Sequence, residues 1–276
     1  MSIPNTKEGI TMNYWSRKEQ LSKKAKAHAE YMEEVYAQDI STCVSESEVY
    51  DENVAWIPNK FGPMEISLVE MTSVDAVKAF TPRHTPTHRT CVLNFASHKN
   101  PGGKFLEGSS AQEESLCHDS ILYNVLSRKP AYYAVNKSFL NRSLYSNRAI
   151  YTPRVLFPID GSEWRADVLT CAAPNKTAAQ KYCKVSDEEN SHWLYNRIDF
   201  VLGIAAKYQP DVLILGAYGC GVFGQDPTEV ATIFKNLLDT KFQGEFKKVI
   251  FAIPDKNGAN YQAFAKVFDN HARRAL

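Results

Sequence analysis

The chain lacks an excess of charge of either sign. Its 276 residues include 32 Lys and Arg against 31 Asp and Glu, which gives a formal net charge of +1. A summed positive field for bulk nucleic acid or an anionic membrane is therefore excluded, so any anionic ligand must be held by local contacts. No apolar run approaches the roughly 18 residues of a membrane span, and the polar start MSIPNTKEGI does not have the pattern of a secretory signal. We expect an intracellular, cytoplasmic protein that does not contact a membrane.

Cysteine is also sparse. The six cysteines are scattered, without a CxxC pair and without the spacing of a short disulfide framework. We expect reduced thiols and no bound metal.

Four short runs rich in Val, Ile and Leu predict buried strands, at 91–96, 167–172, 211–215 and 248–253. Helix-length segments alternate with them, at 112–126, 189–208, 227–240 and 259–275. This alternation predicts an α/β layered fold whose strands are covered by helices on both faces. In such folds ligands bind beyond the carboxyl ends of the strands.

Apolar residues at steps of three and four predict an amphipathic helix from Ser16 to about Asp39, with Ser16 and Glu19 as a capping box. The sequence shows neither an internal repeat nor a flexible linker. It therefore predicts one catalytic domain over residues 1–276, with residues 1–80 as an N-terminal helical extension packed on it.

Two predicted strands are followed by glycine-rich loops, ASHKNPGGKFLEGSSAQ at 96–112 and GAYGCGVFGQDP at 216–227. After the second loop, Asp226 is the expected N-cap, with Pro227 at the first helical position and Glu229 completing a capping box. Loop N–H groups and the positive end of a helix together suit phosphate oxygens. A diphosphate site is therefore predicted, although glycines that only mark tight turns are the simpler alternative.

Other readings of these loops are weaker. Gly219-x-Gly221-x-x-Gly224 matches the GxGxxG string of dinucleotide-binding folds, but it follows a late strand instead of the first one. Cys220 has no suitably placed histidine and is not expected to be a nucleophile. His98 and Lys99 are expected to be exposed.

Two adjacent carboxylates, Glu113 and Glu114, begin the helix after the first loop. Ser110 and Glu113 have the spacing of a capping box, which is a purely structural reading. The apolar stripe of this helix consists of Cys117, Ile121, Leu122 and Val125. Counting back by helical steps puts Glu114 on the same stripe, so its carboxylate is predicted to face inward and line a cleft. There, desolvation is expected to raise its pKa and fit it for general acid catalysis.

The segment NPGGKFLEGSSAQEESL resembles the signature of microbial-type poly(ADP-ribose) glycohydrolases, a glycine triplet followed some residues later by QEE. The resemblance continues in VLTCAAPN (168–175) and in the second glycine loop, so it covers most of the chain from about residue 90. It implies a macrodomain-like three-layer α/β/α sandwich with a mixed, largely parallel sheet. It also implies an enzyme without a cofactor that hydrolyses the ribose–ribose O-glycosidic bonds of poly(ADP-ribose). The implied partners are ADP-ribose, poly(ADP-ribose) or ADP-ribosylated macromolecules, and we expect a monomer.

The resemblance implies that Glu114 protonates the departing ribose oxygen and then activates water, while Glu113 holds the ribose hydroxyls. Adjacent glutamates suit bond cleavage through an oxocarbenium-like state, which needs an acid and a negative neighbour. Gln112 is expected to shape this end of the site. The residues expected beside the distal ribose are Asn100, Gly102 and Gly103. Those expected to bind the diphosphate and ribose are Gly219, Cys220, Gly221, Val222 and Phe223.

Lys104 stands where the signature has its third glycine. A left-handed backbone there would cost lysine about 1 to 2 kcal/mol, so either the loop differs or the position tolerates a side chain. Lys104 either pairs with a phosphate, narrows the mouth in favour of mono-ADP-ribose or another ADP-ribosyl linkage, or is a solvated lysine. A module that binds ADP-ribose without cleaving it is the alternative function.

Overall fold

The computed structural model describes residues 14–58, 61–83, 85 and 87–272. The strands in these ranges are β1 (Glu48–Tyr50), β2 (Glu65–Val69), β3 (Thr90–Phe95), β4 (Ala149–Ile159), β5 (Ser162–Cys171), β6 (Val212–Leu215) and β7 (Lys248–Ala252). The helices are α1 (Tyr14–Val35), α2 (Ala37–Glu46), α3 (Ser73–Phe80), α4 (Gln112–His118), α5 (Leu122–Ser127), α6 (Pro130–Ser138), α7 (Lys176–Cys183), α8 (Asp187–Tyr208), α9 (Pro227–Asp239) and α10 (Ala259–Ala272). Two short 3₁₀ turns lie at Phe105–Glu107 and Asn141–Ser143.

The strands form one mixed sheet in the order β1-β4-β5-β3-β6-β7-β2. β4 is antiparallel to both of its neighbours, whereas β5, β3, β6, β7 and β2 run parallel to one another. β3 lies in the middle, where Val92 pairs with Val168 of β5 and Ile214 of β6. The carboxyl ends of β3 and β6 are therefore neighbours at one edge of the sheet.

Helices cover both faces of the sheet. Alternate strand residues point to opposite faces, and in β3 Leu93 belongs to the core packed against α8, α9 and α10. The next residue back, Val92, belongs to the core packed against α1 to α6. The predicted α/β/α sandwich with a mixed, largely parallel sheet is confirmed.

The four predicted strands are present, and only β5 begins much earlier than expected. The predicted helix 112–126 is instead two helices, because Ser120 interrupts it. The Ser120 hydroxyl donates to Leu116 O at 2.6 Å, and the next N–H, of Ile121, bonds to Leu156 O of β4 at 3.1 Å. Side chains of this type compete with the helical ladder for backbone groups. The predicted helix at 16–39 is likewise divided, at Tyr36.

Three strands were not predicted. β1 and β2 lie within residues 1–80, so this segment is not only a helical extension but supplies both edge strands of the sheet. β4 contains Pro153 and Pro158, which are unfavourable inside a strand. The register of β4 shifts between Thr152 and Val155, and this bulge accommodates Pro153 and Arg154.

Helix caps gave mixed results. The Asp226 side chain accepts the N–H of Glu229 at 2.8 Å with Pro227 at the helix start, as predicted. In contrast, α4 has Ala111 as its N-cap without a side-chain cap, so the capping box of Ser110 and Glu113 is wrong. The side chain of Ser16 lies outside the described residues. Within the described ranges, no helix has the length and apolar character that crossing a bilayer requires.

Candidate active site

The first glycine loop leads from the end of β3 to the start of α4 and folds back over the helix start. Gly103 has a φ of +60°, and a Cβ at this position would lie 2.6 Å from Oε1 of Glu114 and 2.9 Å from Oε2 of Glu113. A side chain here would collide with both carboxylates, and the left-handed backbone is itself unfavourable for other residues. Gly103 is therefore the point where the loop and the acid pair come closest.

Glu114 faces inward, as the sequence predicts. It is 7% exposed, and Cys117, one helical turn further on, is fully buried. The N–H of Lys104 donates to Glu114 Oε1 at 2.9 Å, which fixes the carboxylate against the loop. No ion pair with Glu114 is found in the described part of the chain. The carboxyl is thus held by a single backbone donor among the bonds described, and its remaining lone pairs are available to a ligand.

Glu113 is buried beside it and makes bonds in place of the expected cap. Its Oε2 accepts the N–H of Ser97 at 2.7 Å, and its Oε1 contacts Nδ2 of Asn94 at 3.4 Å. Burial raises the pKa of Glu113 to about 8, and the charge of Glu114 adds to this rise while the Ser97 bond opposes it. Glu113 therefore holds its proton near neutral pH.

Gln112 joins β3 to α4. Its Oε1 accepts the N–H of Phe95 at 2.8 Å, and its Nε2 donates to Leu93 O at 2.8 Å and to Ser73 Oγ at 3.0 Å. The whole amide is occupied by these bonds. Gln112 therefore holds the start of α4 against the end of β3.

The rest of the loop is arranged around the acid pair. Asn100 is exposed, and its carbonyl accepts the N–H of Gly103 at 3.1 Å. Gly102 is buried, and a Cβ there would lie 2.9 Å from the Tyr123 ring. Lys104 has a φ of −112°, so the left-handed strain considered for a lysine in the glycine triplet does not arise. Its side chain is exposed.

The second glycine loop leads from β6 to α9. The N–H of Cys220 bonds to Ala217 O at 3.1 Å, so this amide is occupied within the loop. The N–H groups of Gly219, Gly221 and Val222 have no backbone partner among the bonds of the described residues. The Val222 side chain is 86% exposed, and a Cβ on Gly221 would meet nothing within 4 Å. The second loop is therefore open around Gly221 and Val222.

Aromatic contacts connect the two loops. Phe95, at the end of β3, lies 5.6 Å from the ring of Tyr218, at the start of the second loop. The Tyr145 ring stacks on His98 of the first loop at 4.0 Å and lies 6.1 Å from the Phe223 ring. These ring contacts therefore bring the first and the second glycine loop together.

Three further side chains near the loops have surroundings that define their roles. His98 is 3% exposed, not exposed as predicted, because it packs between its own loop and Tyr145; burial lowers its pKa to about 4. Tyr218 is fully buried and donates to Cys171 O at 3.0 Å, so it supports the loop from below. Burial raises the pKa of Cys220 to about 12, which agrees with an unreactive thiol.

Sequence reasoning missed Asn94, Ser97 and Tyr145. Asn94 is the only polar side chain among the buried residues of β3 that faces the acid pair, and an amide inside an apolar run was a usable signal. Tyr145 follows a segment in which Asn141, Arg142 and Ser143 have positive φ. This conformation could not be predicted from the sequence, because the segment contains no glycine. Within the described ranges, no group of three His, Cys, Asp or Glu side chains is arranged to hold a metal ion.

Comparisons with known proteins point in one direction. The family model "Microbial-type PARG, catalytic domain" matches residues 17–158. A crystal structure of poly(ADP-ribose) glycohydrolase (PARG) from Thermomonospora curvata is 30% identical with a TM-score of 0.79, covering 91% of this chain and 100% of that chain. The enzyme from Deinococcus radiodurans, solved in complex with ADP-ribose, is 30% identical with a TM-score of 0.74, covering 84% of this chain and 97% of that chain. The comparison with curated proteins gave no match.

The layered sheet and the glycine loop over two buried carboxylates define the class as a macrodomain-like glycohydrolase. The chain belongs to the family of microbial-type poly(ADP-ribose) glycohydrolases and is thus a hydrolase of poly(ADP-ribose). The expectation of an enzyme is confirmed. The GxGxxG string at 219–224 is accordingly part of a glycohydrolase loop and not a nicotinamide-binding fingerprint.

Proposed function

We propose that Glu114 is the general acid and base of this hydrolase. The observation that supports this role best is its position: the carboxyl is nearly buried, lies against Gly103 and is bound by the N–H of Lys104. An acid in this place can protonate the oxygen of the departing ribose and then take a proton from the attacking water. Gly103 leaves room for the anomeric carbon, because any side chain there would occupy the space in front of both carboxylates.

Glu113 binds the ribose hydroxyls of the substrate. With a pKa of about 8, it is mostly protonated near pH 7 before the substrate arrives. A neutral carboxyl can donate one hydrogen bond to a hydroxyl and accept another. This assigns hydroxyl binding to Glu113 more readily than charge stabilisation, which was the second role considered for it. Asn100 and Gly102 hold the loop that closes over this ribose.

The diphosphate of the ADP-ribosyl unit binds at the second loop. The N–H groups of Gly219, Gly221 and Val222 supply donors without a competing backbone bond in the described chain, and Cys220 contributes its place in the turn. Phe223 places its ring beside the ribose and fixes the angle of the sugar. The solved Deinococcus radiodurans relative in complex with ADP-ribose supports this choice of ligand.

The substrates we propose are poly(ADP-ribose) and ADP-ribosylated macromolecules, of which the ribose–ribose O-glycosidic bond is cut. Lys104 is exposed at the mouth and free of backbone strain, so its ammonium group can pair with a phosphate of the next ADP-ribose unit. Both loops of the site come from one chain, so a monomer is sufficient for activity.

The test is release of ADP-ribose from automodified poly(ADP-ribose) polymerase. The wild-type protein is expected to release ADP-ribose, and Glu114→Ala to lose at least two orders of magnitude in rate, because a positioned acid contributes about 10²- to 10⁴-fold. Glu107→Ala is the matched control, since Glu107 is an exposed acid of the same loop. Equal rates for wild type and Glu114→Ala would refute the role of Glu114. Preference for a mono-ADP-ribosyl ester over the polymer would refute the choice of linkage.

A further inference from the structure

Arg197 is a fully buried arginine on α8, below the cleft. Its guanidinium donates to three neutral acceptors: the carbonyl of Ala172, the carbonyl of Leu144 at 3.3 Å, and Oδ1 of Asn147 at 2.7 Å. Among the ion pairs of the described residues, none includes Arg197. A buried charge normally needs a partner of opposite charge, so a cation with only neutral acceptors here requires an explanation.

One acceptor of Arg197, the Ala172 carbonyl, lies next to the second glycine loop. Ala172 precedes Ala173, and a Cβ on Gly219 would lie 2.9 Å from the Ala173 side chain. Asn190 lies two turns before Arg197 on the same helix and pairs with Gln225 of the second glycine loop. Nδ2 of Asn190 donates to Oε1 of Gln225 at 2.9 Å, and Nε2 of Gln225 donates to Oδ1 of Asn190 at 3.0 Å. One face of α8 therefore supports this loop.

The charge of Arg197 also acts on the aromatic groups around the cleft. Burial is the main cause that lowers the pKa of His98, and the Arg197 charge lowers it further. It opposes the rise that burial causes in the pKa of Tyr145 and of Tyr218. Tyr218 belongs to the second glycine loop, and Tyr145 lies 6.1 Å from Phe223 of the same loop, so the positive potential of Arg197 reaches this loop.

We infer that Arg197 is the buried counter-charge of the substrate diphosphate: a positioning residue that attracts the two phosphates through the loop without touching them. The inference rests on the proposed diphosphate site at residues 219–223. It explains how a chain of net charge +1 that offers mainly backbone amides at this loop binds a dianionic group. At an effective dielectric constant of about 20 and a separation of about 10 Å, one such charge changes affinity by roughly tenfold or more for each negative charge of the diphosphate.

The decisive variant is Asn147→Asp, which keeps Arg197 and the shape of its hydrogen-bond acceptor but adds a carboxylate at the guanidinium. The added charge neutralises Arg197, and a salt bridge in place of the neutral bond is not expected to unfold the chain. Binding of ADP-ribose and of adenosine is measured by calorimetry. Asn147→Asp is expected to raise the Kd of ADP-ribose at least tenfold and leave the Kd of adenosine unchanged. Asn236→Asp, which adds the same charge on the exposed side of α9, is expected to bind both ligands as wild type does.

Two further variants separate charge from support of the loop. Arg197→Lys retains the charge with fewer hydrogen bonds and is expected to bind ADP-ribose within about threefold of wild type, whereas Arg197→Met behaves like Asn147→Asp. With poly(ADP-ribose) as substrate, KM is expected to rise in Asn147→Asp while kcat stays within about twofold.

An unchanged Kd of ADP-ribose in Asn147→Asp would overturn the inference, as would an equal loss of adenosine and ADP-ribose. A loss in Arg197→Lys as large as in Arg197→Met would also overturn it, because support of the loop would then be the whole effect. If the wild-type protein itself binds no ADP-ribose, the proposed diphosphate site fails, and the inference fails with it.

Discussion

Glu113 and Glu114 are neighbours in sequence with different surroundings. Glu114 is held by the N–H of Lys104, whereas Glu113 reaches down to Ser97 and Asn94 at the end of β3. The sequence could predict the inward direction of Glu114, because helical spacing relates it to buried apolar residues. It could not predict the burial of Glu113, because the contacts of Glu113 come from a strand 16 to 19 residues earlier.

The raised pKa of Glu113 predicts a specific pH dependence of stability. In the unfolded chain this carboxyl loses its proton near pH 4.5, but in the folded protein only near pH 8. Between these values the folded state binds the additional proton, so the contribution of Glu113 is fully present below about pH 4.5 and is lost as pH rises towards 8. In Glu113→Gln, which cannot ionise, the melting temperature is therefore expected to fall less than in wild type between pH 5 and pH 8.

Thermal unfolding of both proteins at several pH values measures this difference. Glu107→Gln is the control, since its exposed carboxyl should leave the wild-type pH profile unchanged. Identical pH profiles for wild type and Glu113→Gln would contradict a raised pKa of the buried Glu113 carboxyl.

At the scale of elements, helix α1 supports the first glycine loop from outside the sheet. The Ser22 hydroxyl donates to Leu106 O at 2.6 Å, and Gly108 lies so close to the helix that a Cβ would be 2.1 Å from Lys18 O. The amphipathic pattern predicted the helix itself but gave no sign of this contact. Strand β4 was not predicted for a different reason. It contains two prolines, which argue against a strand, and a bulge accommodates the first of them, Pro153.

Gly108→Ala should separate α1 from the first glycine loop. Both the clash with Lys18 and the φ of +80° oppose a side chain at this position. We expect the variant to lose more than about 2 kcal/mol of unfolding free energy and at least tenfold in kcat. Gly161→Ala is the matched control, because Gly161 has a φ of +71° but nothing within 4 Å of a Cβ. It should lose only about 1 to 2 kcal/mol and keep its kcat.

Urea unfolding and polymer hydrolysis of the two glycine variants are compared side by side. Equal losses of stability and equal kcat in both would show that backbone strain alone matters. In that case α1 would not position the first glycine loop.

At the scale of the whole molecule, sheet order creates the site. The acid pair follows β3, and the free amides follow β6. These two strands are adjacent in the sheet, although 116 residues lie between Phe95, where β3 ends, and Val212, where β6 begins. Sequence patterns predicted both loops and the layered architecture, because buried strands and glycine loops have local signatures. The pairing of β3 with β6, and the buried cation of α8 below them, depend on tertiary contacts that no local pattern encodes.

The most direct measurement is a crystal structure of the wild-type protein with bound ADP-ribose, the product of the proposed reaction. We expect a carboxylate oxygen of Glu114 about 3 Å from the oxygen on the anomeric carbon. We also expect diphosphate oxygens at the N–H groups of Gly219, Gly221 and Val222. A terminal ribose turned away from Glu114, or a diphosphate bound elsewhere in the chain, would contradict the roles proposed for Glu114 and the second loop.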